Sequence, residues 1–154
     1  MNSLTQNLML AQMDRKMSFF RELQSLETPK EGWIFSIRSA LKMSLRQLGV
    51  RLHITPQSVK ELEEREKTGS ITLRVLRQVA HALDSKLIYV ILPNQVTLES
   101  MIESRARELA EEIVLRTSHS MKLENQEVSK ERLQAAIEEK AKKIRNEMPS
   151  YLWD

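Results

Sequence analysis

Apolar residues recur every three or four positions along most of the chain, which is the spacing of one face of an α-helix. Within residues 44–65, two short amphipathic segments meet at a tight break. Ser44 and Gln47 form a capping box at the start of the first segment, and Thr55 followed by Pro56 is a typical start for the second. The pattern predicts two short helices joined by a few residues, a helix-turn-helix, whose second helix enters the major groove of DNA.

Two positions of this motif need a separate argument, because leucine spacing alone also fits an ordinary helical hairpin in a bundle. Gly49 supplies the small residue expected inside the first helix. His53 stands where such a turn usually has glycine, so we expect it to adopt a left-handed conformation, which histidine tolerates better than a branched residue. Together with the two caps, the apolar spacing across the turn favours the DNA-binding unit over the hairpin.

The segments on either side of the motif also predict helices. Residues 4–26 have the spacing of one long helix, which either packs on the central domain or forms a dimer helix. A capping box at residues 28–31 predicts the start of the next helix, and Thr72 is expected to cap the helix after the motif. The stripe of the first helix comprises Leu4, Leu8, Ala11, Arg15, Phe19 and Leu23, and the expected core comprises Trp33, Ile37, Leu48, Leu52, Val59, Leu62, Leu76 and Leu83.

The apolar period changes at residues 86–92. This run is short, rich in β-branched and aromatic residues, and followed by Pro93, so it predicts a strand. A lone strand has an unpaired edge. Pairing with the same strand of a second copy would cover that edge and predicts a homodimer, which two-fold operator recognition also requires. Pairing with the chain's own terminus is the alternative.

The last part of the chain predicts two more helices. Thr97 is the expected start of one and Lys130 the approximate start of the other, which Pro149 ends before an apolar tip at residues 151–153. The sequence therefore predicts a mainly α protein. It comprises an N-terminal helix in residues 1–32, a five-helix-type repressor helix-turn-helix domain in residues 33–93 with one short strand at 86–92, and a C-terminal two-helix tail in residues 94–154.

Composition limits the cellular setting. The chain has no cysteine, so it forms no disulfide and has no thiolate chemistry, which fits a reducing cytoplasm. The first residues lack the apolar core and cleavage site of a signal peptide. No apolar run approaches the roughly 20 residues needed to span a bilayer. We therefore expect a cytoplasmic protein with no membrane partner.

The distribution of charge separates the central segment from the tail. Residues 33–92 carry 10 Lys/Arg and 5 Asp/Glu, whereas residues 93–154 carry 10 Lys/Arg and 12 Asp/Glu. The basic excess thus coincides with the helix-turn-helix, as contact with phosphates requires. An acidic tail is repelled by DNA, which predicts a different partner for it.

No catalytic set stands out in the sequence. His53, His81 and His119 are scattered, no spacing fits a metal site, and there is no glycine-rich phosphate loop. Ser118 and Ser120 flank His119, but no acid is placed to orient that imidazole. We expect no catalytic residue, metal or cofactor, and the protein is not expected to be an enzyme.

The expected DNA contacts concentrate at the start of the recognition helix. Gln57 can bond an adenine edge with both its donor and its acceptor, whereas Arg46 and Arg51 on the preceding helix are expected to contact phosphates. Glutamates make the later part of this helix acidic and oppose deep insertion, and Glu63 among them is expected to be structural. The predicted DNA-binding residues are Arg46, Arg51, Thr55, Gln57, Ser58, Lys60 and Glu61.

The helix-turn-helix resembles the phage-repressor/Cro-type family in Leu48, Gly49, Leu52, Ile54, Val59, Leu62 and Glu63, followed by Leu76, Ala80 and Leu83. Almost the whole chain resembles a second family, mobile mystery protein A, in the stretches GWIFSIRSALKMSLRQLGVRL, TPQSVKELEERE, ITLRVLRQVAHALDSKLIYVILP and RTSHSMKL. Members of that family are bacterial and typically sit beside a gene for a Fic-domain protein. The resemblance implies the antitoxin of a toxin–antitoxin pair, with a Fic-domain toxin as partner.

The resemblance directs attention to residues 120–125, which match the Fic inhibitory motif in Ser120, Glu124 and Asn125. On a helix, Ser120 and Glu124 share a face one turn apart. In the Fic family the motif glutamate pairs with an arginine that should hold the ATP γ-phosphate, and AMP transfer is blocked. The alternative is a stand-alone dimeric transcriptional repressor whose tail only dimerises, in which Glu124 is a solvated helix charge.

Overall fold

The computed structural model describes residues 2–123 and 129–154, and the protein is mainly helical there. These residues form seven α-helices: α1 Ser3–Ser18, α2 Trp33–Ala40, α3 Leu45–Leu52, α4 Pro56–Thr68, α5 Leu73–Ala82, α6 Leu98–Leu123 and α7 Lys130–Glu147. Short 3₁₀ helices add Arg21–Ser25 and Ser150–Trp153. The helices divide into two compact units, one spanning residues 25–90 and the other combining the chain up to Gln24 with the chain from Ile91 onward.

The unit of residues 25–90 packs α2 to α5 around a small core. Its buried residues are Ile34, Leu48, Val59, Val79 and Leu83, with Ile37, Leu52, Leu62 and Leu76 partly buried against them. The sequence prediction named most of this set. It was wrong for Trp33, whose side chain is 46% exposed, whereas the neighbouring Ile34 is buried at 3%.

The start of α2 explains that difference. The capping box predicted at residues 28–31 does not begin a helix, because Gly32 adopts φ 86° and α2 starts after it. The carboxylate of Glu66, on α4, accepts the N–H of Trp33 at 2.6 Å and of Ile34 at 3.0 Å. A side chain more than thirty residues away thus satisfies the free donors of this helix start, and a local motif could not reveal it.

Residues 86–92 form no strand in the part of the chain that the structure describes. Their backbone groups make no backbone hydrogen bonds within residues 2–123 and 129–154. The prediction of a strand was wrong for the single chain, because a strand needs a ladder partner and no described residue forms a backbone hydrogen bond with this segment.

In the other unit, α6 and α7 pack against each other along their length. Arg107 of α6 pairs with Glu138 of α7 at 3.2 Å, and Arg145, nearer the end of α7, pairs with Glu99 at the start of α6. The two helices therefore run antiparallel. Ala106 and Ala110 are fully buried, which lets the helix backbones approach closely, and Ile102, Ile137, Ile144 and Leu152 complete the buried set.

The helix starts predicted at Thr97 and Lys130 and the helix end predicted at Pro149 are confirmed. The Thr97 hydroxyl accepts the N–H of Ser100 at 2.9 Å at the start of α6, and α7 begins at Lys130. Met148 turns left-handed before Pro149, which ends α7. The apolar tip is divided, because Leu152 is buried whereas Tyr151 and Trp153 are exposed.

The N-terminal helix is shorter than predicted, and its predicted stripe does not face inward. α1 ends at Ser18, and the chain continues in a 3₁₀ turn. Leu4, Leu8, Phe19 and Leu23 are exposed, whereas Met17 is buried. The inward face also includes Asp14, whose carboxylate accepts the N–H of Leu98 at 2.7 Å and of Glu99 at 3.2 Å. These bonds cap the start of α6. They, and not the predicted apolar stripe, therefore determine which face of α1 points inward.

No helix among the described residues is long and apolar enough to cross a membrane.

Candidate nucleic-acid interface

The helix pair α3–α4 has capped starts and a tight turn. Ser44 and Gln47 exchange both capping-box hydrogen bonds, at 2.8 and 3.1 Å. His53 ends α3 in the left-handed conformation at φ 57°, and the Thr55 hydroxyl accepts the N–H of Ser58 at 3.1 Å at the start of α4. The predicted caps and the predicted conformation of His53 are confirmed.

Gly49 allows the turn to lie directly on α3. Its carbonyl accepts the N–H of Ile54 at 2.9 Å. A Cβ at position 49 would lie 2.7 Å from the carbonyl oxygen of Ile54, closer than side-chain carbons normally approach. Any larger residue there would push the turn away from α3 and change the direction in which α4 leaves it.

An ion pair between α2 and α4 fixes the middle of α4. Glu63 is buried, and its carboxylate accepts hydrogen bonds from Arg38, from Nε at 2.5 Å and from Nη2 at 3.3 Å. The remaining Nη1 of Arg38 donates to the carbonyl of Met43 at 2.8 Å. The structural role predicted for Glu63 is confirmed. Arg38 was not predicted, although a lone arginine among the apolar residues of α2 is a signal for a buried pair.

Three predicted contact residues lie exposed on the first turns of α4. The side chains of Gln57, Lys60 and Glu61 make no hydrogen bond or ion pair with any other described residue. Their polar groups are therefore available to a ligand. Thr55 and Ser58 differ, because their hydroxyls lie 2.9 Å apart and Thr55 also caps the helix, so their first role is structural.

The two predicted phosphate contacts lie on α3. Arg46 is in the first turn and exposed. Arg51 is in the last turn, where its Nη1 donates to the carbonyl of Ala82 at the end of α5, at 3.1 Å. Both line one groove together with Lys42, and no acidic residue of the described chain lines that groove. The arrangement supplies positive charge along α3.

The acidic part of α4 is turned partly inward. Glu63 binds Arg38 and Glu66 caps α2, so each carboxylate is matched within the unit. Glu61 and Glu64 are exposed. The negative charge presented outward is thus smaller than the sequence suggests, and it lies beyond the first turn of the helix.

The Fic-like motif lies only partly within the described chain. Ser120 is exposed on α6, and its hydroxyl donates to the carbonyl of Arg116 at 3.2 Å. Glu124 and Asn125 lie outside the described residues. Ser120 therefore lies on a helix, and the inhibitory roles of Ser120, Glu124 and Asn125 stay predictions.

Metal-binding geometry is absent from residues 2–123 and 129–154, where no group of three or more acidic or histidine side chains is placed to hold an ion. The chain matches no protein-family model, and comparison with curated proteins and with solved structures finds no similar protein.

Proposed function

We propose that the protein is a DNA-binding antitoxin, which binds operator DNA through α3 and α4 and inhibits a partner Fic-domain AMP-transferase through its tail. In this proposal α2 to α5 act as a repressor-type helix-turn-helix domain with α4 as the recognition helix. The observation that carries the DNA-binding part is the first turn of α4. There the polar group of Gln57 has no partner among the described residues, and Lys60 follows in the next turn. A capped start and the buried pair of Glu63 hold this helix in place.

The chemistry of that turn suits base contact. Gln57 has a carbonyl and an amide group with no other partner in the described chain, which can bond the N6 and N7 atoms of adenine together. Arg46 would contact phosphates on the side of α3, where no carboxylate that the structure describes competes for it. The carboxylates of Glu61 and Glu64, beyond the first turn, would repel the phosphates of DNA. Binding by the N-terminal end of α4 is therefore favoured over binding along its length.

The test uses a duplex selected from a random pool and a scrambled duplex of the same composition. Gln57→Ala should lower affinity for the selected duplex by about 1–3 kcal/mol and relax one base position. Arg46→Ala should weaken both duplexes and reduce the salt dependence. Gln134→Ala on α7, an exposed glutamine outside the proposed interface, is the control. Unchanged binding by both test variants would contradict DNA contact by this face.

The inhibitory part of the proposal rests on the sequence resemblance and on the match at residues 120–125. The test is AMP transfer from labelled ATP by the purified complex with the Fic protein encoded next to this chain. The wild-type complex should be silent, and Glu124→Gly should make the complex active without dissociating it. A silent mutant complex would mean that bulk occlusion inhibits. A neighbouring gene without a Fic motif would favour the stand-alone dimeric repressor.

A homodimer completes the proposal. The backbone of residues 86–92 has no ladder partner in the described chain. Within this segment the side chains of Ile88, Tyr89 and Ile91 are exposed. Pairing with the same segment of a second copy would satisfy these groups. Tyr89→Pro removes a ladder donor and should lower the mass measured by light scattering to that of a monomer, whereas an unchanged dimer would place the interface elsewhere.

A further inference from the structure

A second basic groove lies between the last turn of α3 and the second half of α5. Two arginines and a histidine contribute to it, and among residues 2–123 and 129–154 no aspartate or glutamate lines it. Arg51 lines both this groove and the one beside Arg46, so the two surfaces are continuous. The lining residues are Arg51, Leu52, Arg77, Gln78, His81 and Ala82.

Both guanidinium groups are held in place by contacts that leave donors free. Arg51 donates one hydrogen bond, to the carbonyl of Ala82. Arg77 lies over the ring of Tyr89, 5.8 Å from its centroid, and makes no hydrogen bond with the residues that the structure describes. A guanidinium has five N–H donors, so the pair retains most of its donors although its positions are restricted.

Such an arrangement fits a phosphate group. Two cations on one groove repel each other unless an anion lies between them, and a guanidinium fork matches the oxygens of phosphate. Restricting the side chains before binding also lowers the entropy lost when the ligand arrives. Gln78 adds a neutral donor on the same surface.

Because the two grooves share Arg51, the surface favours one kind of phosphate ligand over another. A single small anion would fill one groove only, whereas a duplex backbone presents phosphates at regular intervals along a line of cations. The cations that line the two grooves are Lys42, Arg46, Arg51 and Arg77, and Arg51 is common to both. We propose that Arg77, with Arg51, binds a backbone phosphate of duplex DNA and extends the contact from α3 to α5. This inference rests on the DNA-binding part of the proposed function.

The experiment measures the salt dependence of binding to a mixed-sequence duplex by the full chain. Losing one phosphate contact should reduce the slope of log affinity against log salt by about 0.9. Arg77→Gln should show this reduction, so that its loss of affinity between about 50 and 200 mM salt is about 3.5-fold smaller than that of wild type. Arg77→Lys keeps the charge and should keep the slope. Circular dichroism checks that each variant folds.

Arg132→Gln on α7 is the matched control, because it removes the same charge from an exposed site that does not line the groove. If Arg77→Gln shows only the slope of Arg132→Gln, the inference is overturned. The proposed function survives that result as long as Gln57→Ala still weakens the selected duplex. If wild type binds neither the selected nor the mixed duplex, both are overturned.

Discussion

Breaking the buried pair between Arg38 and Glu63 should destabilise the unit of residues 25–90 more than any exposed change. The side chains are 12% and 9% exposed, and the guanidinium also bonds the carbonyl of Met43. Arg38→Met keeps the apolar stem of the side chain and removes all three hydrogen bonds. It leaves a carboxylate in the core of the unit with no partner among the described residues.

The expected cost is about 3–5 kcal/mol, which is typical when one partner of a buried pair is removed. The free energy of unfolding of a small domain is about 5–15 kcal/mol in total. This variant should therefore be close to unfolded. Each kcal/mol lowers the melting temperature by about 4–8 °C in a domain of 60–100 residues. Glu63→Gln is the milder variant, because its amide oxygen still accepts a hydrogen bond from Arg38.

Urea unfolding followed by circular dichroism measures these differences. The double variant Arg38→Met with Glu63→Leu removes both charges, so it should be more stable than Arg38→Met alone. Lys67→Met is the control, because it breaks the exposed pair with Glu31 and should change stability little. A stabilising role of the buried pair is refuted if Arg38→Met unfolds at the same urea concentration as Lys67→Met, or if the effects of the two core changes simply add.

Three further variants test other contacts. Gly49→Val should cost about 1–3 kcal/mol of stability, because its side chain would overlap the Ile54 carbonyl; a melting temperature equal to that of wild type would contradict this. Gly32→Ala should cost about 1–3 kcal/mol, since φ is 86° and the added Cβ would meet Glu66 at 2.8 Å; thermal melting measures it. Arg105→Ala removes hydrogen bonds to the carbonyls of Leu152 and Asp154, both 2.7 Å, and should expose the C-terminal turn to carboxypeptidase; unchanged digestion would show that burial of Leu152 alone holds it.

Features that depend on neighbouring residues in sequence were predicted well. The caps at Ser44, Thr55 and Thr72 are each made within three residues, and the structure has all three. The boundaries of α6 and α7 are local in the same way, with Thr97 at one start and Pro149 after the other end. A residue's type and its nearest neighbours determine such starts and stops.

Features that depend on distant residues were predicted poorly. The start of α2 depends on Glu66, the rotation of α1 depends on bonds from Asp14 to α6, and the segment at 86–92 lacks the partner that a strand requires. In the candidate interface, helical spacing correctly placed Gln57 on the surface. It could not reveal that Arg77 lies over Tyr89, because that contact joins α5 to a segment with no periodic pattern.

The two inward-facing carboxylates of α4 have a consequence for how the protein would meet DNA. Glu63 binds α2 near its end through Arg38, and Glu66 binds the first N–H groups of α2. Tilting α4 against α2 would break both contacts, so the pair moves as a rigid body. In the proposed complex the entropy of ordering the recognition helix is lost during folding and not during binding. Adaptation at a mismatched operator must then come from bending of the DNA, so discrimination should depend on duplex flexibility as well as on base contacts.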